Sequence, residues 1–204
     1  MNFNKNKLIN IILILTLMIM STVFTMYILK QKRIIEIKEQ LIINMEDYAL
    51  TNENPTKYNF LNGDVAIYIE SLCEELNLDS DLVVAILMQE NPSFDVNAIN
   101  KNTNGTIDCG LFQLNDKYLW TVFKKAYWMD DVELDPFNWK HNSFIAIHHI
   151  NYLAKKLKVV DDVIMAYNCG AGAVMNHKVP QTTKIYLNKV KNNMKLLKNY
   201  KVEE

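Results

Sequence analysis

Three cysteines in 204 residues, Cys73, Cys109 and Cys169, are too few and too scattered to build a disulfide framework or a zinc site. At most one pair could form, and one thiol would stay free. An excess of charge of either sign is also missing. The chain carries 22 basic and 23 acidic side chains, a formal charge of −1, which leaves no electrostatic footprint for a nucleic acid. Internal repeats are absent as well. The most informative absence is local: residues 8–29 hold no charge at all, and Asn10, Thr16, Ser21, Thr22 and Thr25 interrupt an otherwise apolar run.

At about 1.5 Å per residue, a helix of that length crosses a hydrocarbon core of roughly 30 Å, whereas buried core helices rarely run so far without a charge. Lys5 and Lys7 precede the run as in a signal peptide. No small-x-small cleavage site comes after it, and no cysteine stands there for lipid attachment, so the segment reads as an uncleaved transmembrane signal anchor. Lys30, Lys32 and Arg33 make the far flank at least as basic, so flanking charge leaves the orientation open. Beyond the run, Ile34, Ile37, Leu41 and Met45 recur at spacings of three and four over about two heptads. This predicts a stalk helix rather than a coiled coil. The polar stretch TNENPTKY, 51–58, is the best linker.

After the linker the pattern is mostly helical. One amphipathic stretch covers 65–76, and Ser80 can cap a second over 81–90, which Pro92 stops. Asn104-Gly105 is the strongest hairpin signal, with Ile107, Cys109 and Leu111 alternating behind it. Asn115 can cap a third helix through Tyr127, and further helices are expected over 142–157, 161–168 and 182–199. The result is an α+β domain, mainly α, with a small β-hairpin.

Glu90 draws the chemistry to itself. Counting back along its helix gives Leu87, Ile86, Val83 and Leu82, so the acid shares the apolar face. Removal from water raises a carboxyl pKa, and the negative end of a helix dipole pushes the same way. Both favour a protonated Glu90 near neutral pH, as a general acid for glycoside cleavage requires. Position alone also allows a glutamate that reaches water at a helix end. Asp108, just past the Asn-Gly turn, reads equally as a second acid or as a turn residue bonded to local amides.

The segments ILMQENPSF, AI and NTNGTIDCGLFQLN resemble the catalytic core of the lytic transglycosylases, the lysozyme-like enzymes that cleave peptidoglycan. A second block, AYNCGAGAV at 166–174, resembles the family's Ala-Tyr-Asn-Ala-Gly-x-Gly-x-Val. Pro180, Thr183 and YLNKV at 186–190 come next in family order. The resemblance covers about residues 60–195. It implies a lysozyme-like fold, Glu90 as catalytic acid/base, Tyr167 and Asn168 lining the cleft, Gln113 contacting the glycan, and no metal or organic cofactor. Three departures stand out: Asn91 replaces the usual serine, the loop from Glu90 to the alanine is one residue longer, and Cys169 replaces an alanine. NTNGTIDCGLFQLN is also similar to the strand segment of animal-type lysozymes, where an aspartate at the place of Asp108 is the second carboxylate, and to small transglycosylases attached to secretion machinery. Three readings therefore remain: a transglycosylase with Asp108 among its substrate-binding residues, a hydrolytic muramidase using Glu90 and Asp108, and a non-catalytic wall-binding protein.

Since peptidoglycan lies outside the membrane, the resemblance implies residues 1–7 in the cytoplasm, a span at 8–29, a stalk and linker at 30–58, and a catalytic domain at 59–204 facing the periplasm or wall of a bacterium. The implied partners are glycan strands and the membrane, with any envelope or secretion machinery unspecified. Because Cys109 and Cys169 lie in the two family blocks, the resemblance puts both near the cleft, where they could pair. His148 and His149, adjacent on a helix, point about 100° apart and cannot chelate together. Trp120, Trp128 and Trp139 suit a core better than sugar stacking, and Lys184, Lys189, Lys191, Lys195 and Lys198 suit a solvated face of the last helix.

Overall fold

The computed structural model describes residues 5–46, 56–120, 123, 125 and 133–200. The chain divides into two compact units, Met1–Ile43 and Asn44–Glu204. Helix α1, Lys5–Glu46, carries the apolar run and the expected stalk as one uninterrupted helix. Its side chains are described over 15–36 and at Glu39, and from Leu15 to Leu29 the large apolar ones are exposed. Thr22 and Thr25 return their hydroxyls to the Ile19 and Ser21 carbonyls, both at 2.8 Å. Among the described residues no helix is long and apolar enough to cross a membrane, so the expected span at 8–29 is not supported there. The physical reason is charge: an apolar stretch starting at Leu15 soon runs into Lys30 and Lys32, while the side chains of 8–14 lie outside the described residues.

In the second unit, α2 (Gly63–Leu76) starts from an Asn62 side chain that accepts the Asp64 amide and ends at Asn77, whose left-handed φ of 51° turns the chain. Helix α3 (Ser80–Glu90) begins within a few residues. Its cap is Asp79, not Ser80 as expected: the Asp79 carboxylate accepts the Asp81 amide at 2.9 Å, and Ser80 is already helical. The Ser80 hydroxyl lies 2.9 Å from that of Tyr58, which donates to Asp81 Oδ1 at 2.8 Å. Tyr58, at the end of the expected linker, is thereby buried in the fold, while 51–55 lie outside the described residues.

Six consecutive residues of α3, Leu82 to Leu87, are buried, so this helix is covered on all sides and forms the axis of the domain. Burying a Leu or Ile side chain fully is worth about 1.5–3 kcal/mol. That gain lets the same helix end on a carboxyl group held away from bulk water.

A three-stranded antiparallel sheet, β1 (Ile99–Lys101), β2 (Ile107–Cys109) and β3 (Leu114–Asn115), is ordered β1-β2-β3. Its register sets Asp108 opposite Asn100 on one side and Asn115 on the other. The expected hairpin is therefore one strand short of the real sheet, and β2 stops at Cys109 rather than continuing to Leu111. Gly110 bends the chain there with φ +76°, and a Cβ on it would sit 2.3 Å from Asn142 Nδ2 and from the Pro136 carbonyl. Asn115 does cap, accepting the Lys117 amide at 3.2 Å, and the helix behind it opens as a π-helical turn, Asp116–Trp120, with Phe123 and Lys125 helical beyond it. Most of 121–132 lies outside the described residues.

Among the described residues four further helices follow: α4 (Trp139–Leu157, capped by Asn138), α5 (Val160–Cys169), the short α6 (Ala171–Met175) and α7 (Gln181–Asn199). The longest packing seam runs between α3 and α7, with α2 against α3 and α4, and α5 against α4, α6 and α7. Except for α6, each matches an expected helix to within three residues at either end, and the mainly helical α+β class holds.

Candidate active site

Where the C-terminus of α3, the small sheet, α4 and α5 meet, they leave a cleft of about 620 Å³. Glu90, Asp108, Gln113, Tyr167 and Asn168, the five residues singled out from sequence, all line it. So do Asn102, Asn104, Thr106, Asn115, His149 and Cys169.

Glu90 is the last residue of α3. The Tyr186 hydroxyl, from the second turn of α7, donates to its Oε1 at 2.6 Å. Burial raises the carboxyl from its ordinary 4.5 to about 7; the Tyr186 hydrogen bond opposes the rise, and the negative charge of Asp108 adds to it. Desolvation is the larger effect, so near neutral pH a substantial fraction of Glu90 holds its proton. Burial and the Glu90 charge push the Tyr186 phenol well above its ordinary range, so it acts only as a neutral hydrogen-bonding group.

Asp108 receives the opposite treatment. Its Oδ1 accepts from the Asn115 amide at 2.7 Å and its Oδ2 from the Asn102 amide at 2.9 Å. Both amides also approach Thr106 Oγ1, at 2.9 and 3.1 Å, and that hydroxyl donates to Asn104 Oδ1 at 2.8 Å. With one N–H on each oxygen, the group is held as a fixed, hydrogen-bonded acceptor pair. The turn that the sequence signals strongly is thus also the frame of this network.

The other expected site residues are tied to backbone or neighbours. Gln113 takes a left-handed φ of 49°, and its amide nitrogen donates to the carbonyls of Ala98 at 3.1 Å and Gly110 at 2.9 Å. The nitrogen is committed to bracing the loop. Tyr167 donates to the Phe112 carbonyl at 3.1 Å, and burial together with the charges of Glu90 and Asp108 holds its phenol well above the usual range. Asn168 Oδ1 accepts from Thr183 at 2.7 Å, joining α5 to the start of α7.

Asn91, which takes the place of the family's serine, is buried and acts as a loop clasp. Its amide donates to the Asp95 carbonyl at 2.8 Å and the Leu111 carbonyl at 3.2 Å, while its oxygen accepts from Ser93 at 2.9 Å. All of these bonds lead away from Glu90. Sequence reasoning missed Asn142, which crosses from α4 to the sheet. Its oxygen accepts the Phe112 amide at 2.7 Å, and its nitrogen donates to the Cys109 and Pro136 carbonyls, both at 3.0 Å. Nothing in the local pattern marks this residue, because its sheet partners are remote in sequence.

All three cysteines are free, so the expected Cys109–Cys169 pair is not formed. Side chains alternate along a strand, and with Asp108 turned into the cleft, Cys109 must face the core, where its thiol reaches the Leu114 carbonyl at 3.5 Å. Cys169 lines the cleft instead. Trp120 is buried and Trp139 packs edge-on against Tyr68 at 5.6 Å, so neither lies in the cleft; Trp128 falls outside the described residues. Among the described residues no cluster of three or more His, Cys, Asp or Glu could hold a metal.

This arrangement can deliver a proton from Glu90 to a bridging oxygen and oppose positive charge with Asp108. The family model described as the transglycosylase SLT domain matches residues 67–189, more than half of the chain and every site residue named above. The chain belongs to the SLT transglycosylase family. Members are peptidoglycan lytic transglycosylases, so the chain is a lysozyme-like enzyme acting on peptidoglycan. No curated protein matches the chain.

Proposed function

We propose that this SLT transglycosylase cleaves the β-1,4 bond between N-acetylmuramic acid and N-acetylglucosamine without water, leaving 1,6-anhydro-muramic acid ends, with Glu90 as the catalytic acid and base. The observation that carries the reading is the Glu90 carboxyl, raised to about 7 by burial and held by Tyr186. Protonated Glu90 gives its proton to the glycosidic oxygen as the bond to the anomeric carbon breaks. The resulting carboxylate then takes the proton of the muramic acid 6-hydroxyl while that oxygen closes on the anomeric carbon. Glu90 ends protonated again, and no nucleophile from the protein is consumed.

Asp108 supports this step as fixed negative charge facing the developing oxocarbenium ion. Each of its oxygens accepts an amide N–H, which stabilises the charge and makes the group a weaker nucleophile. The second reading, a hydrolytic muramidase, rests on the presence of both carboxyl groups in one cleft. Gln113, Tyr167 and Asn168 shape the glycan path in either case. Mass analysis of muropeptides released from purified peptidoglycan separates the two. Products one water lighter than the hydrolytic ones are expected, and reducing ends alone would favour the muramidase.

Residues 8–29 are proposed as a membrane anchor placing the enzyme on the wall side of a bacterial cytoplasmic membrane, for wall remodelling or assembly of an envelope machine. Support comes from the uncharged run, the continuity of α1, and the return of the Thr22 and Thr25 hydroxyls to helix carbonyls, which lowers the cost of a polar group in lipid. Retention in the membrane pellet after a carbonate wash, with the N-terminus intact, is expected. A mature chain starting near residue 30 would contradict it.

A further inference from the structure

His149 lies on α4 and lines the cleft opposite the sheet. Its neighbour His148 turns about 100° around the helix into apolar packing, 4.2 Å from the Phe144 ring. His149 instead sets its ring 5.9 Å from that of Tyr167 and 6.3 Å from that of Tyr152. Among the described residues, no protein group hydrogen-bonds to its two ring nitrogens. The residue is part-buried and neither ring nitrogen is sealed from solvent, so both open to the cleft. Polar atoms that open to a binding cleft with no protein partner are available to a ligand that enters it.

We propose that His149 is a glycan-contacting residue of this cleft, hydrogen-bonding a hydroxyl or acetamido group of the bound sugar through its ring nitrogens. The inference rests on the reading of the cleft as a peptidoglycan site and adds a specificity contact to it. A neutral imidazole presents one donor and one acceptor, which suits groups that are themselves donor and acceptor. Burial lowers the ring to about 4, so it is uncharged at neutral pH and too weak a base to compete with Glu90 for the catalytic proton. Its part is recognition. Tyr167 fixes the ring from one side while anchored to the Phe112 carbonyl, so the nitrogens are held in place before the sugar arrives.

The test uses the full chain and two substitutions. His149→Phe keeps an aromatic ring between the tyrosines and removes both nitrogens, whereas His149→Gln discards the ring and keeps a donor and an acceptor. Binding of N-acetylglucosamine tetramer is measured by calorimetry in a Glu90→Gln background, and KM and kcat on peptidoglycan are measured with Glu90 intact. His149→Phe is expected to weaken tetramer binding and raise KM about fivefold, the worth of one net hydrogen bond, with the loss falling on KM rather than kcat. His149→Gln should recover most of it. Wild-type affinity and KM in a folded His149→Phe would overturn the proposal, as would an equal loss in both variants. Should His149→Phe fail to fold, His149→Leu takes its place, and equal affinities of the Leu and Gln variants would overturn it. A wild type that releases no sugar from peptidoglycan while the tetramer still distinguishes Phe from Gln would sink the functional reading and leave the His149 contact standing.

Discussion

The two walls of the cleft handle the same functional group in opposite ways. On the helical wall, Glu90 at the end of α3 loses water to burial and receives one hydrogen bond from the Tyr186 phenol of α7, and its carboxyl rises to about 7. On the sheet wall, Asn102 and Asn115 give Asp108 one amide N–H on each oxygen. Water is removed from one carboxyl with little in return, and its place at the other is taken by fixed dipoles. In the proposed mechanism it is environment, not residue type, that assigns the two carboxyl groups their different roles. The apolar body of α3 supplies the stability that a desolvated carboxyl costs.

Breaking the helical wall's part of the comparison should have the largest effect. Glu90→Gln keeps shape and hydrogen-bonding capacity but has no transferable proton. Release of muropeptides should fall by about 10²- to 10⁴-fold while binding of N-acetylglucosamine tetramer persists. Activity in the variant close to that of the wild type would remove Glu90 from the mechanism.

The same substitution should change stability with pH. A carboxyl whose pKa is raised by folding binds its proton more tightly in the native state, so ionising it opposes folding. The penalty is absent below about 4.5, grows between about 4.5 and 7, and is complete above that. Glu90→Gln should therefore be more stable than wild type at pH 8, by on the order of 2–3 kcal/mol after allowance for partial exposure, with the gain gone at pH 4. A difference that does not vary with pH in denaturant melts would contradict this.

On the sheet wall the expected loss is smaller. Asp108→Asn retains the outline of the network but removes the charge, and about tenfold in kcat is expected if the charge stabilises rather than attacks, a fraction of the range typical of lost transition-state electrostatics. The products should still be anhydro-muropeptides. A loss as great as that of Glu90→Gln, together with reducing products from the wild type, would move Asp108 to nucleophile.

Smallest of all is the predicted effect of Tyr186→Phe. The phenol's hydrogen bond favours the ionised form of Glu90, so its removal should move the alkaline limb of the kcat/KM profile to higher pH, by up to about one unit. An unmoved limb would mean that the bond does not tune the acid.

How much of this is legible in the sequence depends on the reach of each interaction. Glu90 can be read because the helix behind it is local and apolar: Leu82, Val83, Ile86 and Leu87 are buried as their spacing implies, and Val84 and Ala85 are buried with them, so the cover is wider than one face. The Asn-Gly turn can be read for the same reason. Asn115 can be read only as a cap, which it is, since its bond to Asp108 depends on β3 pairing with β2, and a two-residue strand leaves no periodic signal. Tyr186 is visible as part of a family block, but its contact with Glu90 spans 96 residues of sequence. The five-residue α6 is too short for any period to show. Cys109 is misplaced by its nearness to the family block, because strand alternation from Asp108 sends its side chain the other way. Gly110 and Asn142 interlock across the sheet and α4, a fit that exists only once both are folded.

The most direct test of the contrast between the walls is the titration of Glu90 itself, tracked in the free enzyme by the carbon-13 shift of its side-chain carboxyl and assigned by its disappearance in Glu90→Gln. A midpoint near 7, moving upward in Tyr186→Phe, is the result predicted. A midpoint near the ordinary glutamate value of 4.5 would show that the helical wall does not hold the proton, and would contradict the account of Glu90 as the acid.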